Sequence, residues 1–267
     1  MKGARKHAVV FLGGGRITGA LLAGLRLTNY DRPIVVHDRH LQKLRQLRIQ
    51  YRVEVEPDLR RAVEQAHLLI IAVRPDSVRE LLQKIGQARP AIAVSLAAGI
   101  PLKNLRVWMG RPARWARAMP SPVARSARGL TALAFDRDVP AAARREVRDF
   151  FAHVGQIFEI PESQFDAFTV TYSSSHGYHA LAALADAAVK LGLNRKTAMT
   201  AAAHALADGI LSWRESNISL DALLHEAATP GGISAATLAS MGKSGYKRVV
   251  ERGLRAGMNR AKKNAKR

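Results

Sequence analysis

His7 to Leu12 reads as a short apolar β-strand, and Gly13-Gly14-Gly15-Arg16-Ile17-Thr18-Gly19 follows it directly. Ala20-Leu21-Leu22-Ala23-Gly24-Leu25 then takes up helical spacing. Strand, glycine turn and helix in that order leave few folds open, because this is how a parallel sheet that holds a dinucleotide begins. Gly13 makes the tight turn, and Gly15 lets a pyrophosphate come up to the backbone. Arg16 and Ile17 open the helix, whose first N–H groups lack partners and carry partial positive charge. The third glycine of such a turn is replaced here by Thr18 or displaced to Gly19.

The next strand, Pro33 to His37, ends at Asp38, 25 residues after Gly13. An acid there reaches the adenosine ribose and favours NAD. Arg39 follows at once and could pair with the 2′-phosphate of NADP. Asp38 could also simply cap a helix beginning near Leu41. NADP or NAD therefore stays open. Strand patterns continue at Val53–Val55, His67–Val73, Ala91–Leu96, the run ending at Ser121, Leu130–Phe135 and Gln156–Ile160. Helical patterns fall between them at 41–49, 58–65 with Asp58 as cap, 77–85 and 141–151. Ligands bind outside the carboxyl ends of such strands. Val73, Arg74 and Pro75, with Ala97 and Ala98, are therefore expected to face the cofactor.

After Pro161 the strand patterns stop and alanine dominates. The expected organisation is an α/β Rossmann-type dinucleotide-binding domain, residues 1–160, followed by an all-α domain, residues 161–267. Tyr178–Leu191, and Arg195–Leu211 capped by Asn194, read as helices apolar on most of their circumference. About a hundred residues cannot easily bury two such helices, so a homodimer is expected to form here. Helices at 220–228 and 233–241 and a basic helix from Tyr246 complete the region.

There is no cysteine, which excludes disulfides and thiolate chemistry. His176 and His179 lie three apart without an acidic neighbour, so no metal site is expected. No apolar run approaches a membrane span, and a cytoplasmic protein is expected. The net charge of +21 attracts anions. No nucleic-acid-binding motif accompanies it, and nucleic acid is not the expected partner.

Thr229-Pro230-Gly231-Gly232-Ile233-Ser234 sits between two helical patterns. Pro230 ends the first, the glycines free the backbone, and Ser234 falls near the start of the next. Such a loop can hold a carboxylate on free N–H groups beside a hydroxyl. Alternatively it is a helix corner with Ser234 as its cap.

Taken together, the motifs resemble those of pyrroline-5-carboxylate reductases over both halves of the chain. The carriers are Leu12–Ile17, Ala72–Pro75, Ser95–Ile100, Arg117–Pro120, Ala185–Val189 and Thr229–Ser234, with Leu238 and Gly245 at matching offsets. The resemblance implies hydride transfer from NAD(P)H to the C=N carbon of 1-pyrroline-5-carboxylate, giving L-proline. It implies a helical dimerisation domain, possibly in rings of dimers. It places Ser234 at the substrate nitrogen, with Gly231, Gly232 and Ile233 around the carboxylate and Tyr178 as a second catalytic candidate.

The chain departs from the family at Ser121, where asparagine is usual, and at Tyr172–Tyr178. Reduction of a different cyclic imine, or an inactive NAD(P)-binding paralogue, therefore stand as alternatives. Ketone reduction would need Tyr172 or Tyr178 as proton donor.

Overall fold

The computed structural model describes residues 8–86, 90–110 and 114–266. His7, the basic residues before it and Arg267 lie outside that range. Eight strands form one sheet: β1 (Ala8–Leu12), β2 (Ile34–His37), β3 (Glu54–Val55), β4 (Ala66–Ile71), β5 (Ile92–Ser95), β6 (Trp115–Pro120), β7 (Gly129–Phe135) and β8 (Gly155–Glu159). Their order is β3-β2-β1-β4-β5-β6-β7-β8. All neighbours are parallel except β6 and β7. The first six strands thus run 3-2-1-4-5-6, the doubly wound dinucleotide-binding order.

Helices alternate with the strands: α1 (Arg16–Leu27), α2 (Leu41–Tyr51), α3 (Leu59–Glu64), α4 (Pro75–Ile85), α5 (Leu102–Met109), α6 (Ala141–Ala152) and α7 (Glu162–Thr171). Central strands covered on both sides need apolar residues at every position rather than at alternate ones. β1 meets that need. Val9 and Phe11 join the layer formed with Leu21, Leu22 and Leu25 of α1 and Val147, Phe150 and Phe151 of α6. Ala8, Val10 and Leu12 join the opposite layer, with Ala62, Val78, Leu82 and Leu105 of α3, α4 and α5. Burying one such leucine stabilises the fold by about 1.5–3 kcal/mol. The sequence pattern missed α5 and α7. The first is short and the second shows no clean apolar stripe.

Packing divides the chain into two compact units, residues 1–172 with 257–267, and residues 173–256. α7 belongs with the sheet because Phe165 is buried against Ala132, Ala134 and Ile160. The second unit holds α8 (Ser174–Lys190), α9 (Arg195–Glu215), α10 (Leu220–Ala227), α11 (Ile233–Lys243) and the first part of α12 (Tyr246–Ala265). Asn194 caps α9 by accepting the Thr197 N–H at 2.9 Å.

A small alanine core, Ala185, Ala198 and Ala202, lies between α8 and α9, with Leu181, Ala188 and Met199 packed against it and an Arg195–Asp186 ion pair beside it. Leu191, Ile210, Leu211, Trp213, Leu224, Ile233 and Val249 are exposed. A helix apolar all round is normally buried. Within one chain these helices are not, and that surplus apolar surface needs a partner. No described helix is long and apolar enough to cross a membrane.

Candidate functional site

The glycine turn is held from three directions. Gly13 donates to the His37 carbonyl at 2.8 Å, and Ala72 N–H donates to the Leu12 carbonyl at 2.8 Å. Gly13 has φ +112, and a Cβ there would lie 2.6 Å from the Ala72 oxygen. No other residue fits both constraints. Thr18 is fully buried and its hydroxyl donates to the Gly13 carbonyl at 2.6 Å. The residue standing where a third glycine is expected thus adds a tie to the turn. That role cannot be read from the glycine pattern.

Gly15 is the N-cap of α1 and contributes no side-chain hydrogen bond. A Cβ on Gly15 would meet nothing within 4 Å. The ground in front of the first N–H groups, including those of Arg16 and Ile17, is open. This is the cradle a pyrophosphate requires, and the residues present fit one.

Asp38 is nearly buried, at 8 % exposure. Its Oδ2 accepts the Gly14 N–H at 2.8 Å and the Lys43 Nζ at 3.0 Å. Its Oδ1 accepts the His40 N–H at 3.0 Å. Burial alone would push the carboxyl up, but the Gly14 and His40 N–H groups and Lys43 outweigh it and hold it below the usual range. Asp38 is not the N-cap of α2; that position belongs to His40. Arg39 is exposed beside it, with Nε donating to His40 Nε2 at 3.2 Å. Lys43 was not legible as part of this group, since only a turn of helix brings it back to Asp38.

Val73, Arg74 and Pro75 follow β4, with Arg74 the N-cap of α4 and Pro75 its first residue. Ala97 and Ala98 follow β5 on the same edge of the sheet. The Ala97 N–H donates to Ser95 Oγ at 3.2 Å. The end of the chain also reaches this loop. Asn264 Nδ2 donates to the Ala98 carbonyl at 3.1 Å, and a Cβ on Gly99 would lie 2.7 Å from the Ala261 oxygen. A contact spanning 166 residues leaves no local signal in the sequence.

The second unit carries the other candidates. Gly232 is the N-cap of α11, and no side-chain cap bond forms there. Ser234 is therefore not the cap, which removes that alternative. Gly231 turns with φ +79. The Gly232 N–H donates to the Thr229 carbonyl at 2.9 Å, so it is not a free donor as expected. The unpaired N–H groups begin one residue later, at Ile233, Ser234 and Ala235. Ile233, Ser234 and Tyr178 are exposed.

Ser121 accepts the Val123 N–H at 3.2 Å, and Tyr172 Oη accepts the Leu130 N–H at 2.9 Å. Both hydroxyls at the departures thus brace the first unit's backbone. Among the described residues no cluster of three His, Asp or Glu could hold a metal ion.

Residues 162–264 match the family model for pyrroline-5-carboxylate reductase dimerisation. Residues 8–99 match the model for coenzyme F420-dependent NADP oxidoreductases. The pyrroline-5-carboxylate reductase of Mycobacterium tuberculosis is 30% identical over 281 residues, covering 95% of each chain. The chain belongs to the pyrroline-5-carboxylate reductase family. A second reductase of that name, from Synechocystis, is 30% identical over 261 residues, covering 96% of this chain and 97% of its own. The fold is also that of the Plasmodium falciparum pyrroline carboxylate reductase with NADP bound, with a TM-score of 0.87 at 20% identity, covering 98% of this chain and 100% of that one.

Proposed function

We infer that this chain reduces 1-pyrroline-5-carboxylate to L-proline with NAD(P)H. The observation that carries the reading beyond family membership is the start of α11. Three backbone N–H groups without a side-chain cap lie there beside the Ser234 hydroxyl, in the motif Thr229–Ser234. A carboxylate fits the N–H groups, and a hydroxyl two positions into the helix suits the ring nitrogen of a cyclic imine.

The reduced nicotinamide, when bound, supplies the hydride. The Gly13–Gly15 turn and the N–H groups of Arg16 and Ile17 hold its pyrophosphate. Asp38 and Arg39 lie toward the adenosine end. Val73, Arg74, Pro75, Ala97 and Ala98 line the strand ends. Ser234 bonds the substrate nitrogen, and Gly231, Gly232 and Ile233 shape the carboxylate loop. Tyr178 is a second candidate near the substrate. An iminium already accepts hydride well, so positioning carries most of the catalysis.

We assign nucleotide binding to residues 1–160, and substrate binding and dimerisation to residues 161–267. The exposed apolar faces of α9, α10 and α11 support a homodimer. A cytoplasmic location is part of the same proposal.

The test is oxidation of NADPH and NADH by the purified protein with 1-pyrroline-5-carboxylate, beside the six-membered 1-piperideine-2-carboxylate. Turnover of the five-membered ring is expected. Turnover of the six-membered ring alone would overturn the substrate assignment and favour the other-imine reading.

A further inference from the structure

The loop between β5 and α5 is held at three points. Near its start the Ala97 N–H donates to Ser95 Oγ, and at its end the Leu102 N–H donates to Glu162 Oε1 at 3.0 Å. Between them Ala97–Ile100 form a turn with Gly99, at φ +76, in third place. A positive φ there marks a type II turn; its type I counterpart has the central peptide turned over. The chain end selects between the two. Asn264 Nδ2 donates to the Ala98 carbonyl at 3.1 Å. The C=O and N–H of a trans peptide point opposite ways, so a flipped turn would set the Gly99 N–H against that amide donor.

The donor is itself fixed in place. Asn264 is 7 % exposed, and Ala261 before it 5 %. A Cβ on Gly99 would lie 2.7 Å from the Ala261 oxygen, so the backbone of α12 runs directly against the turn. Asn104 of α5 donates in return to the Ala265 carbonyl at 2.6 Å, which the last turn of α12 leaves without a helical partner. Further back, Val170 Cγ1 of α7 lies 3.0 Å from where a Gly257 Cβ would stand. All these residues belong to the first unit. A buried amide left without an acceptor is costly, so this packing favours the turn orientation that accepts from Asn264.

With strands in the order 3-2-1-4-5-6, the pyrophosphate lies at the β1 turn and the adenosine toward β2, which leaves the nicotinamide half to the ends of β4 and β5. We propose that Asn264 is a positioning residue for the nicotinamide. It holds the Ala98–Gly99 peptide in the orientation that presents Ala97 and Ala98 to that half of the cofactor, and it acts through the turn alone. The proposal rests on the cofactor reading above. Hydride transfer depends on aligning the ring with the C=N carbon, so a turn free to flip slows it.

The first measurement is amide hydrogen exchange of the full-length wild type, alone, with NADPH, and with 2′-phospho-ADP-ribose, which lacks the nicotinamide. NADH and ADP-ribose form the second pair. The dinucleotide should slow exchange over 96–101 and 258–266 together, and the fragment over neither. The second measurement uses Asn264→Leu, which keeps the volume and removes the donor. By calorimetry its affinity for the fragment should stay within about twofold of wild type, while dinucleotide affinity falls roughly fivefold, the range of one neutral hydrogen bond. Its kcat with 1-pyrroline-5-carboxylate at saturating cofactor should fall roughly tenfold.

Dinucleotide protection that misses either segment would overturn the proposal and leave the reductase reading intact. Equal losses of dinucleotide and fragment in Asn264→Leu would overturn it too, as would a lower melting temperature with binding and turnover unchanged, because Asn264 would then only brace the fold. Should Asn264→Leu fail to fold, the exchange pattern of the wild type decides alone. Binding of neither dinucleotide would overturn the cofactor reading itself, and the proposal with it.

Discussion

Arg117 Nη2 lies 2.6 Å from Asp166 Oδ1, joining β6 in the middle of the sheet to α7 on its surface. Glu162 takes Nη1 of the same guanidinium at 3.0 Å, and the Phe165 ring lies beneath it at 4.1 Å. Arg117 is 1 % exposed. A buried cation that loses one of two acids becomes expensive, even where the intact pair contributed little. Asp166→Ala should therefore cost about 2–3 kcal/mol, below the range for a fully buried pair because water still reaches Asp166. Asp166→Asn keeps an acceptor and should cost less. Urea unfolding midpoints of the two variants check the order.

Gly13 and Gly15 stand two residues apart in one turn but tolerate a side chain very differently. Alanine at Gly13 meets the Ala72 oxygen at 2.6 Å in a backbone of φ +112. It should destabilise the fold by at least about 2 kcal/mol through strain and overpacking. Alanine at Gly15 meets nothing, and its φ of −78 is ordinary. It should leave stability within roughly 1 kcal/mol and weaken cofactor binding instead, because the methyl occupies ground the pyrophosphate needs. Thermal unfolding beside NADPH titration separates the two. Similar losses in both measurements for both variants would mean the open side of the turn is not the cofactor side.

The same contrast explains what was legible in the sequence. The turn itself was, because strand, glycines and helix are contiguous from Ala8 to Leu27 and each element has its own period. The edge carrying Val73–Pro75 and Ala97–Ala98 was, because parallel order follows from alternation of strand and helix. The partners that hold these loops were not. Lys43 reaches Asp38 only after a turn of α2, and Asn264 meets Ala98 only once the chain end returns to the first unit. Helix α7 was missed because it has no clean apolar stripe: one buried ring, Phe165, and acids that pair with Arg117 of β6 hold it to the sheet.

Ser234 is exposed and is not a helix cap, so the fold does not depend on its hydroxyl. Ser234→Ala should leave the unfolding midpoint nearly unchanged and NADPH affinity intact. Imine turnover should fall roughly ten- to a hundredfold, the range of one hydrogen bond to a group carrying charge. Steady-state kinetics with 1-pyrroline-5-carboxylate measure this. Unchanged turnover would remove Ser234 from the site.

Ile210, Leu211 and Trp213 are exposed along the end of α9. Sedimentation of the wild-type protein should give at least a dimer. Leu211→Glu should lower that mass or unfold the protein, since a buried unpaired carboxylate is costly and the second unit has little core of its own. A monomeric wild type would leave these faces without an explanation.

Tyr30 is buried at the edge of α6, with its ring 5.6 Å from that of Phe150. Burial pushes its phenol up to about 12 from an ordinary 10.0; Glu146 and Asp31 push the same way, and Arg32 pulls back. The folded state therefore holds the proton that the unfolded chain releases. The stability this carries is complete below pH 10 and is lost as pH rises toward 12. The shift corresponds to roughly 2–3 kcal/mol at most. Between about pH 10 and 11.5 the wild type should lose stability more steeply than Tyr30→Phe, which has no phenol to ionise. Parallel loss in the two proteins across that window would show that other groups govern alkaline unfolding.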